Sequence, residues 1–350
     1  MSATPAARII AGRYQVIRRL GAGAFGEVFE VNDLFMSQVC ALKFLRPGSV
    51  SSVWTEAQVL RQLEGEYILP VRNADWASGV PYIVTDVANN GTLTARIPAE
   101  IGVEISTAVG WTRQACQGVS RLHDHNLVHR DIKPDNLFLD ERGDILVGDL
   151  GLAQFMDSHG FADAAGTPTT MAPEVVYAFM TGDPRYERCY SEQSDVYSLG
   201  ATLFWLIAGH EPHRHISTFA DLWNRATPDL WDHAPHVPQG LRDVVNTSIA
   251  RDPGQRYDSP AQLDAALGGR VRPSRSWRRI RPHSGHTQCF EGTKGTSVVE
   301  VCAEPDHGST GRLRIAARHQ RSGRAIARVT RVVRSGALSA ALRSAFRAIN

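Results

Sequence analysis

Residues 129–136 read His129-Arg130-Asp131-Ile132-Lys133-Pro134-Asp135-Asn136, and the rest of the chain becomes legible outward from them. A strand-like run, Ile145-Leu146-Val147, comes next, followed by Asp149-Leu150-Gly151 and, farther on, by Ala172-Pro173-Glu174. Upstream, residues 104–124 carry Val109, Thr112, Ala115, Val119 and Leu122 at the spacing of one helical face, which predicts a long amphipathic helix leading into the loop. Taken alone, the octapeptide would pass for an acidic, Asn-containing surface loop.

Together these segments resemble the catalytic core of the protein kinases. His-Arg-Asp-x-Lys-Pro-x-Asn, then Asp-x-Gly after a short hairpin, then Ala-Pro-Glu have both the residue types and the spacings of that signature set. Five independent positions fit at once, which argues against the surface-loop reading. The resemblance implies an α+β, bilobal fold, with a small β-rich N-lobe and a larger helical C-lobe, that uses ATP and Mg²⁺. It implies that Asp131 accepts a hydrogen bond from the substrate hydroxyl, and that Asn136 and Asp149 hold the Mg²⁺ ions against the triphosphate. Phosphoryl transfer asks a protein mainly to position groups and stabilise charge, so one carboxylate and two metal-holding side chains are a minimum set. Lys133, two residues after Asp131, implies protein Ser/Thr specificity and argues against Tyr kinases and small-molecule kinases. Its ammonium would reach the transferring phosphoryl group as a compact point charge.

The resemblance extends to the N-terminal side. Residues 14–31 read YQVIRRLGAGAFGEVFEV, two apolar stretches around Gly21-x-Gly23-x-x-Gly26. A lone GxGxxG is a weak signal, because the dinucleotide fold shares it. Here strand rather than helix follows, and Phe25 and Val28 sit where the kinase glycine-rich loop puts them. Leu20, Gly21, Gly23, Gly26 and Val28 are thus expected at the nucleotide, the glycines letting backbone N–H groups close over phosphates. Ala41-Leu42-Lys43 resembles the third-strand motif whose Lys meets the α- and β-phosphates. Residues 51–64 are predicted to form a helix, with Glu56 placed to pair with Lys43. Residues 80–93 read as a strand running into the hinge, with Thr85 as gatekeeper and Asp86 to Ala88 offering main-chain groups to adenine.

Beyond Asp149, residues 149–174 resemble an activation segment. Thr167, in Gly166-Thr167-Pro168, would bond Asp131 and Lys133. Leu150 stands where the family has Phe, and is expected to fill the slot between His129 and Leu60. Asp195 resembles the Asp that opens the central helix and caps the catalytic loop, and Arg256 the partner of Glu174. The stretch from Met180 to Tyr190 is longer than usual and is expected beside the peptide-binding surface. Arg130 marks kinases whose activation segment is ordered by a phosphorylated Thr three residues before this Gly. That position holds Asp163, and between Asp149 and Gly166 the only hydroxyl is Ser158. The expectation is that the Asp163 carboxylate accepts from the Arg130 guanidinium as a built-in substitute, with Thr169 or Thr170 as the alternative switch.

The resemblance ends near residue 267. From residue 270 on there are 17 Arg/Lys against 4 Asp/Glu, net +13, which leaves 21 against 32, net −11, for residues 1–269. That charge step, with Gly268-Gly269 and Pro273, predicts a catalytic domain over 14–267, a linker over 268–281 and a basic α+β module over 282–350. In the module Leu338, Leu342, Ala345, Phe346 and Ile349 share a helical face. His283-x-x-His286-x-x-Cys289, with Cys302 and His307 downstream, has donors at ligand-like spacing. With no paired C-x-x-C, the preferred reading is scattered histidines and two buried cysteines. Five scattered cysteines suit a reducing cytosol. No apolar core of a leader is visible, and the most apolar run, residues 199–208, is too short to span a bilayer.

The sequence thus points to a bacterial-type, cytoplasmic Ser/Thr protein kinase acting on protein hydroxyls. Two rivals are a pseudokinase scaffold, opposed by the intact Lys43, Glu56, Asp131, Asn136 and Asp149, and a nucleic-acid-binding regulator working through the tail. Against the latter, the tail offers little for stacking, only Trp277, Phe290 and Phe346. Its charge could instead dock on the chain's own acidic portion.

Overall fold

The computed structural model describes residues 8–23, 26–45, 65–270, 275–306, 308 and 310–349. Glu56, Leu60 and the helix expected over 51–64 lie outside these residues, as do Phe25 and His307.

The N-terminal lobe is one antiparallel sheet of strands β1 (Ile9–Ile10), β2 (Tyr14–Gly23), β3 (Gly26–Asp33), β4 (Gln38–Phe44), β5 (Val71–Ala77) and β6 (Val80–Asp86), in the order β1-β2-β3-β4-β6-β5. Its two faces follow from the two-residue period of a strand. Phe29, Val31, Cys40 and Leu42 pack with Tyr14, Tyr82 and Val84 into a small core. The intervening Val28, Glu30, Ala41 and Lys43 face a cleft below. A slip of one residue would bury Lys43 and expose Leu42, so the apolar pattern itself sets the register.

The C-terminal lobe is helical. Helix α1 (Ile105–Asp124) buries Val109, Thr112, Ala115, Val119 and Leu122 on its inner face, as the periodicity predicts. Past it, β7 (Leu127–Val128) enters the 129–136 loop, and β8 (Leu137–Leu139) with β9 (Ile145–Val147) forms the hairpin behind it. Strand β10 (Gln154–Phe155) returns to β7, and β11 (Ala162–Asp163) pairs with β12 (Arg188–Tyr190) on either side of helix α2 (Pro173–Thr181). Helix α3 (Glu192–Ala208) is buried almost all round, which accounts for the apolar run at its centre. Helices α4 (Phe219–Asn224), α5 (Leu230–His233), α6 (Gln239–Ser248) and α7 (Pro260–Arg270) complete the lobe.

The tail is a five-stranded antiparallel meander, β13 (Ser276–Ile280), β14 (Gln288–Lys294), β15 (Ser297–Pro305), β16 (Arg312–His319) and β17 (Arg331–Arg334), with helix α8 (Leu338–Ile349) on one face. This corrects the domain boundary. The expected linker over 268–281 contains both the end of α7 and all of β13, and Trp277 is part of the module's apolar core with Phe290, Val301, Leu342 and Phe346. The charge step, counted from residue 270, falls at the end of α7 and ahead of β13, and a strand rich in Arg carries no composition signal that separates it from a linker.

The module lies on the C-terminal lobe. Arg279, on β13, donates to the main-chain carbonyls of Glu100 (3.0 Å) and His233. The guanidiniums of Arg343 and Arg347, on α8, sit 4.7 and 5.8 Å from the Trp231 ring centre, and Arg242 sits on the same ring at 4.9 Å. His236 meets Phe290 with ring centres 5.3 Å apart. Arginines here use carbonyls and a ring face.

Candidate active site

The 129–136 loop is held from beneath by one buried carboxylate. Asp195, in the first turn of α3 and wholly buried, accepts from the main-chain N–H of His129 (2.9 Å) and of Arg130 (3.1 Å) and from the Tyr190 hydroxyl (2.8 Å). His123 Nε2 lies 2.9 Å from it, with Glu192 3.4 Å from the other ring nitrogen. Burial alone would push the Asp195 carboxyl up, but His123 and the loop amides hold it low. Burial likewise pulls His123 down, and the two carboxylates overcome it and raise the imidazole to about 9. Arg130 is forced to φ 68° by this clamp. His123 carries no sequence signal of this role, since a His in the last turn of a helix reads as a solvated end.

Above the clamp, four side chains converge. Asp131 is 3% exposed. Its Oδ1 accepts from Thr167 Oγ1 at 2.6 Å, and its Oδ2 accepts from Lys133 Nζ at 2.8 Å and Asn136 Nδ2 at 2.9 Å. Lys133 also donates to Thr167 at 2.6 Å, and Asn136 to the Asp131 carbonyl at 2.7 Å. Thr167 arrives because Gly166, at φ 124°, lets the segment pass so close that a Cβ there would lie 2.6 Å from the Arg130 carbonyl oxygen. Asn136 spends its amide nitrogen on Asp131, so its carbonyl oxygen is the atom it has to offer a cation.

Asp149, at φ 53°, turns its carboxylate toward Lys43 Nζ across the cleft, in direct ionic contact. The expected Glu56 partner of Lys43 lies outside the described residues. Leu150 is buried with Ile68, Leu122, Leu127 and Ala153, while His129 Nε2 meets the Gly148 carbonyl at 3.0 Å. The cleft between the lobes has a volume of about 720 Å³, within the range of small-molecule sites. Leu20, Gly21, Val28, Ala41, Lys43, Thr85, Asp86, Ala88 and Asp149 all line it. Gly23 and Gly26 pair at the tip of the β2–β3 hairpin. Arg72 grips the Asp86 carboxylate through two hydrogen bonds of 2.6 and 2.7 Å. Leu69, Ile83 and Phe138 also line the cleft and were not anticipated. Phe138 could have been found, because it stands two residues beyond Asn136 on the strand that must run under Gly148.

The activation segment departs from expectation. Arg130 Nη1 donates to the main-chain carbonyl of Asp163 at 2.9 Å and Nε to that of Leu152 at 2.5 Å. The Asp163 carboxylate is taken up instead by Gln154 Nε2 (2.8 Å) and by Arg188 Nε at 3.5 Å. The pairing of β11 with β12 is the reason: it sets Asp163 opposite Arg188, and Ala164 N–H donates to the Glu187 carbonyl at 2.7 Å. Thus the long stretch after Glu174 bears directly on the activation segment. Thr170 is buried and donates to the Ile132 carbonyl at 2.8 Å. Glu174 and Arg256 form the expected pair, at 2.9 and 2.7 Å.

A β-rich lobe over a helical one, a glycine-roofed cleft and a carboxylate held by Lys, Thr and Asn define a protein kinase fold. Residues 14–265 match the protein kinase domain family, and the chain belongs to it. It is 27% identical over 269 residues to serine/threonine-protein kinase PrkC of Bacillus subtilis, covering 74% of this chain and 40% of that protein. It is 30% identical over 258 residues to calcium/calmodulin-dependent protein kinase type 1 of Caenorhabditis briggsae, covering 70% of this chain and 69% of that one. It is 28% identical over 301 residues to serine/threonine-protein kinase Pkn1 of Myxococcus xanthus, covering 79% of this chain and 41% of that one. The chain therefore spans less than half the length of the two bacterial relatives. No helix among the described residues is long and apolar enough to cross a membrane.

Proposed function

We propose that this chain is an ATP-dependent protein kinase that phosphorylates Ser or Thr hydroxyls of protein substrates. The observation that carries the reading is the closed Asp131–Lys133–Thr167–Asn136 cluster. Asp131 offers a buried, oriented acceptor for the substrate hydroxyl. Lys133 places a positive charge beside it, where negative charge develops during transfer. Thr167 ties the activation segment to both, so the substrate platform and the acceptor carboxylate are positioned together. Lys43 lines the cleft as the phosphate partner, and residues Asp86 to Ala88 line the same cleft, where their main-chain groups would meet adenine.

The Asp149 carboxylate and the Asn136 amide oxygen are hard oxygen donors, a set that fits Mg²⁺. When bound, Mg²⁺ neutralises phosphate charge. Free cysteines and an ATP co-substrate suit a reducing, nucleotide-rich cytosol. The basic module belongs with the catalytic domain: Arg279, Arg343 and Arg347 are engaged by the chain's own carbonyls and by Trp231, which favours intramolecular docking over nucleic acid. The decisive experiment is a single-turnover assay on Asp131→Asn. Transfer should fall by about 10²–10⁴-fold with ATP affinity nearly unchanged, because no phosphate partner is removed. Near-normal turnover would refute the assignment of Asp131.

A further inference from the structure

The C-terminal sheet carries a second polar cluster, on the face turned away from α8. Side chains alternate along β14 and β15, so Phe290 and Val301 point to α8 and join the apolar core. Cys289 and Cys302, paired across the same two strands, fall on the opposite face and are not part of that core. Both are nevertheless buried, Cys289 fully and Cys302 to 7% exposure. The two cysteines are thus buried, as the preferred reading from sequence had it, but that reading of the histidines as scattered is corrected, because His283 and His286 gather on the pair.

The loop over residues 281–287 supplies the cover. His286 N–H donates to the His283 carbonyl at 2.9 Å, closing a turn in which Gly285 takes φ 81°. Thr287 anchors the loop by donating to the Ala303 carbonyl through its N–H (2.8 Å) and its hydroxyl (3.0 Å). The turn delivers both imidazoles onto the cysteine pair. His286 Nδ1 lies 3.3 Å from Cys289 Sγ, and His283 Nδ1 lies 3.5 Å from Cys289 Sγ and 3.6 Å from Cys302 Sγ. All four donor atoms fall within 4.8 Å of one another. A tetrahedral ion with Zn–S near 2.3 Å and Zn–N near 2.05 Å has N···S edges of roughly 3.5–3.6 Å. The two His283 edges, 3.5 and 3.6 Å, have that length, and the His286–Cys289 edge, at 3.3 Å, is slightly shorter.

We propose that His283, His286, Cys289 and Cys302 are the four ligands of a structural Zn²⁺ site. Two thiolates and two imidazoles suit zinc, whereas Mg²⁺ and Ca²⁺ take oxygen ligands, and four protein ligands leave no open position for catalysis. Glu304 Oε2 lies 3.3 Å from His286 Nε2. That carboxylate fixes the tautomer, placing the proton on Nε2 and leaving the Nδ1 lone pair for the metal. On binding, each thiol releases its proton to solvent, so Zn²⁺, two thiolates and two neutral imidazoles sum to zero charge, which suits a buried site. The ion would fasten the 281–287 loop between β13 and β14, directly after Arg279, the residue that docks on the catalytic lobe.

The test uses the full chain, made without a polyhistidine tag and purified under reducing conditions without chelator. Elemental analysis should find one zinc per chain. Cys289→Ser and Cys302→Ser should each take it to zero, while Cys40→Ser and Asp149→Asn should keep it, so the result does not depend on the phosphoryl-transfer cleft. A misfolded variant would also lose metal, so wild-type protein stripped of metal is titrated with Co²⁺. The spectrum of tetrahedral cobalt with thiolate ligands should appear at one equivalent and vanish on adding one equivalent of Zn²⁺. The proposal fails if the reduced wild-type protein neither carries zinc nor gives that cobalt spectrum. It also fails if freshly purified protein holds a Cys289–Cys302 disulfide, or if the double cysteine variant retains zinc.

Discussion

The cluster around Asp131 and the cluster around Cys289 use similar numbers of side chains and are assembled in different ways. Asp131, Lys133 and Asn136 come from a single loop, and one further residue, Thr167, closes the set. The second cluster likewise takes three members from one short segment, but its fourth, Cys302, comes from the register of two strands. The supports differ more. Asp195 holds the first cluster through bonds to two loop amides, with His123 and Tyr190 behind it. Behind the second stands one carboxylate, Glu304, and a turn. A site braced by buried protein groups keeps its shape alone, whereas one covered by a single turn relies on its ion.

The largest effect that would break this comparison is expected at Asp195. Asp195→Ala leaves His123 buried beside Glu192 alone and leaves the Tyr190 hydroxyl and two amides without their acceptor. Removing one partner of a buried pair costs about 3–5 kcal/mol, so denaturant unfolding of the catalytic domain should show a loss of that size together with loss of turnover. A loss below 1 kcal/mol would mean the loop is not held from beneath.

The next effect concerns the docking face and has a defined pH sign. Burial, with Arg279 adding to it, lowers His236 from 6.5 to about 3, so the folded protein keeps it neutral while the unfolded chain protonates it below 6.5. Its contribution is complete above pH 6.5 and is lost as pH falls from 6.5 toward 3. Between pH 7 and pH 5 the loss is about 2 kcal/mol. His236→Phe should flatten the stability–pH curve by that amount relative to wild type. An unchanged curve would remove His236 from the buried face.

A smaller loss is expected at Trp231, whose ring is shared by Arg242, Arg343 and Arg347. Trp231→Ala should cost about 1–2 kcal/mol and raise hydrogen exchange in α8 more than in α1. Equal effects in both helices would mean that the module does not dock through this ring. The smallest effect is at Arg188, which is half-exposed, with Asp163 at 3.5 Å and Asp157 at 3.4 Å. Arg188→Ala should lower protection of the Ala164 amide by at most about fivefold, or ~1 kcal/mol. A complete loss of protection would make this pair the main lock of the activation segment.

The sequence by itself determined the family, the catalytic loop and most of the cleft. Those residues sit at fixed offsets because the loop must present Asp131, Lys133 and Asn136 within a few ångströms, and because a strand's two-residue period dictates that Ala41 and Lys43 share a face. Tertiary structure alone decided three things. It drew β13 out of the expected linker, because a strand's identity lies in its partner β14, not in its own arginines. It turned Asp163 toward Gln154 and Arg188, because β12 returns from beyond helix α2 to pair with β11. It also set Cys302 opposite Cys289, because cross-strand neighbours are fixed by hairpin register, and the intervening chain length records none of that.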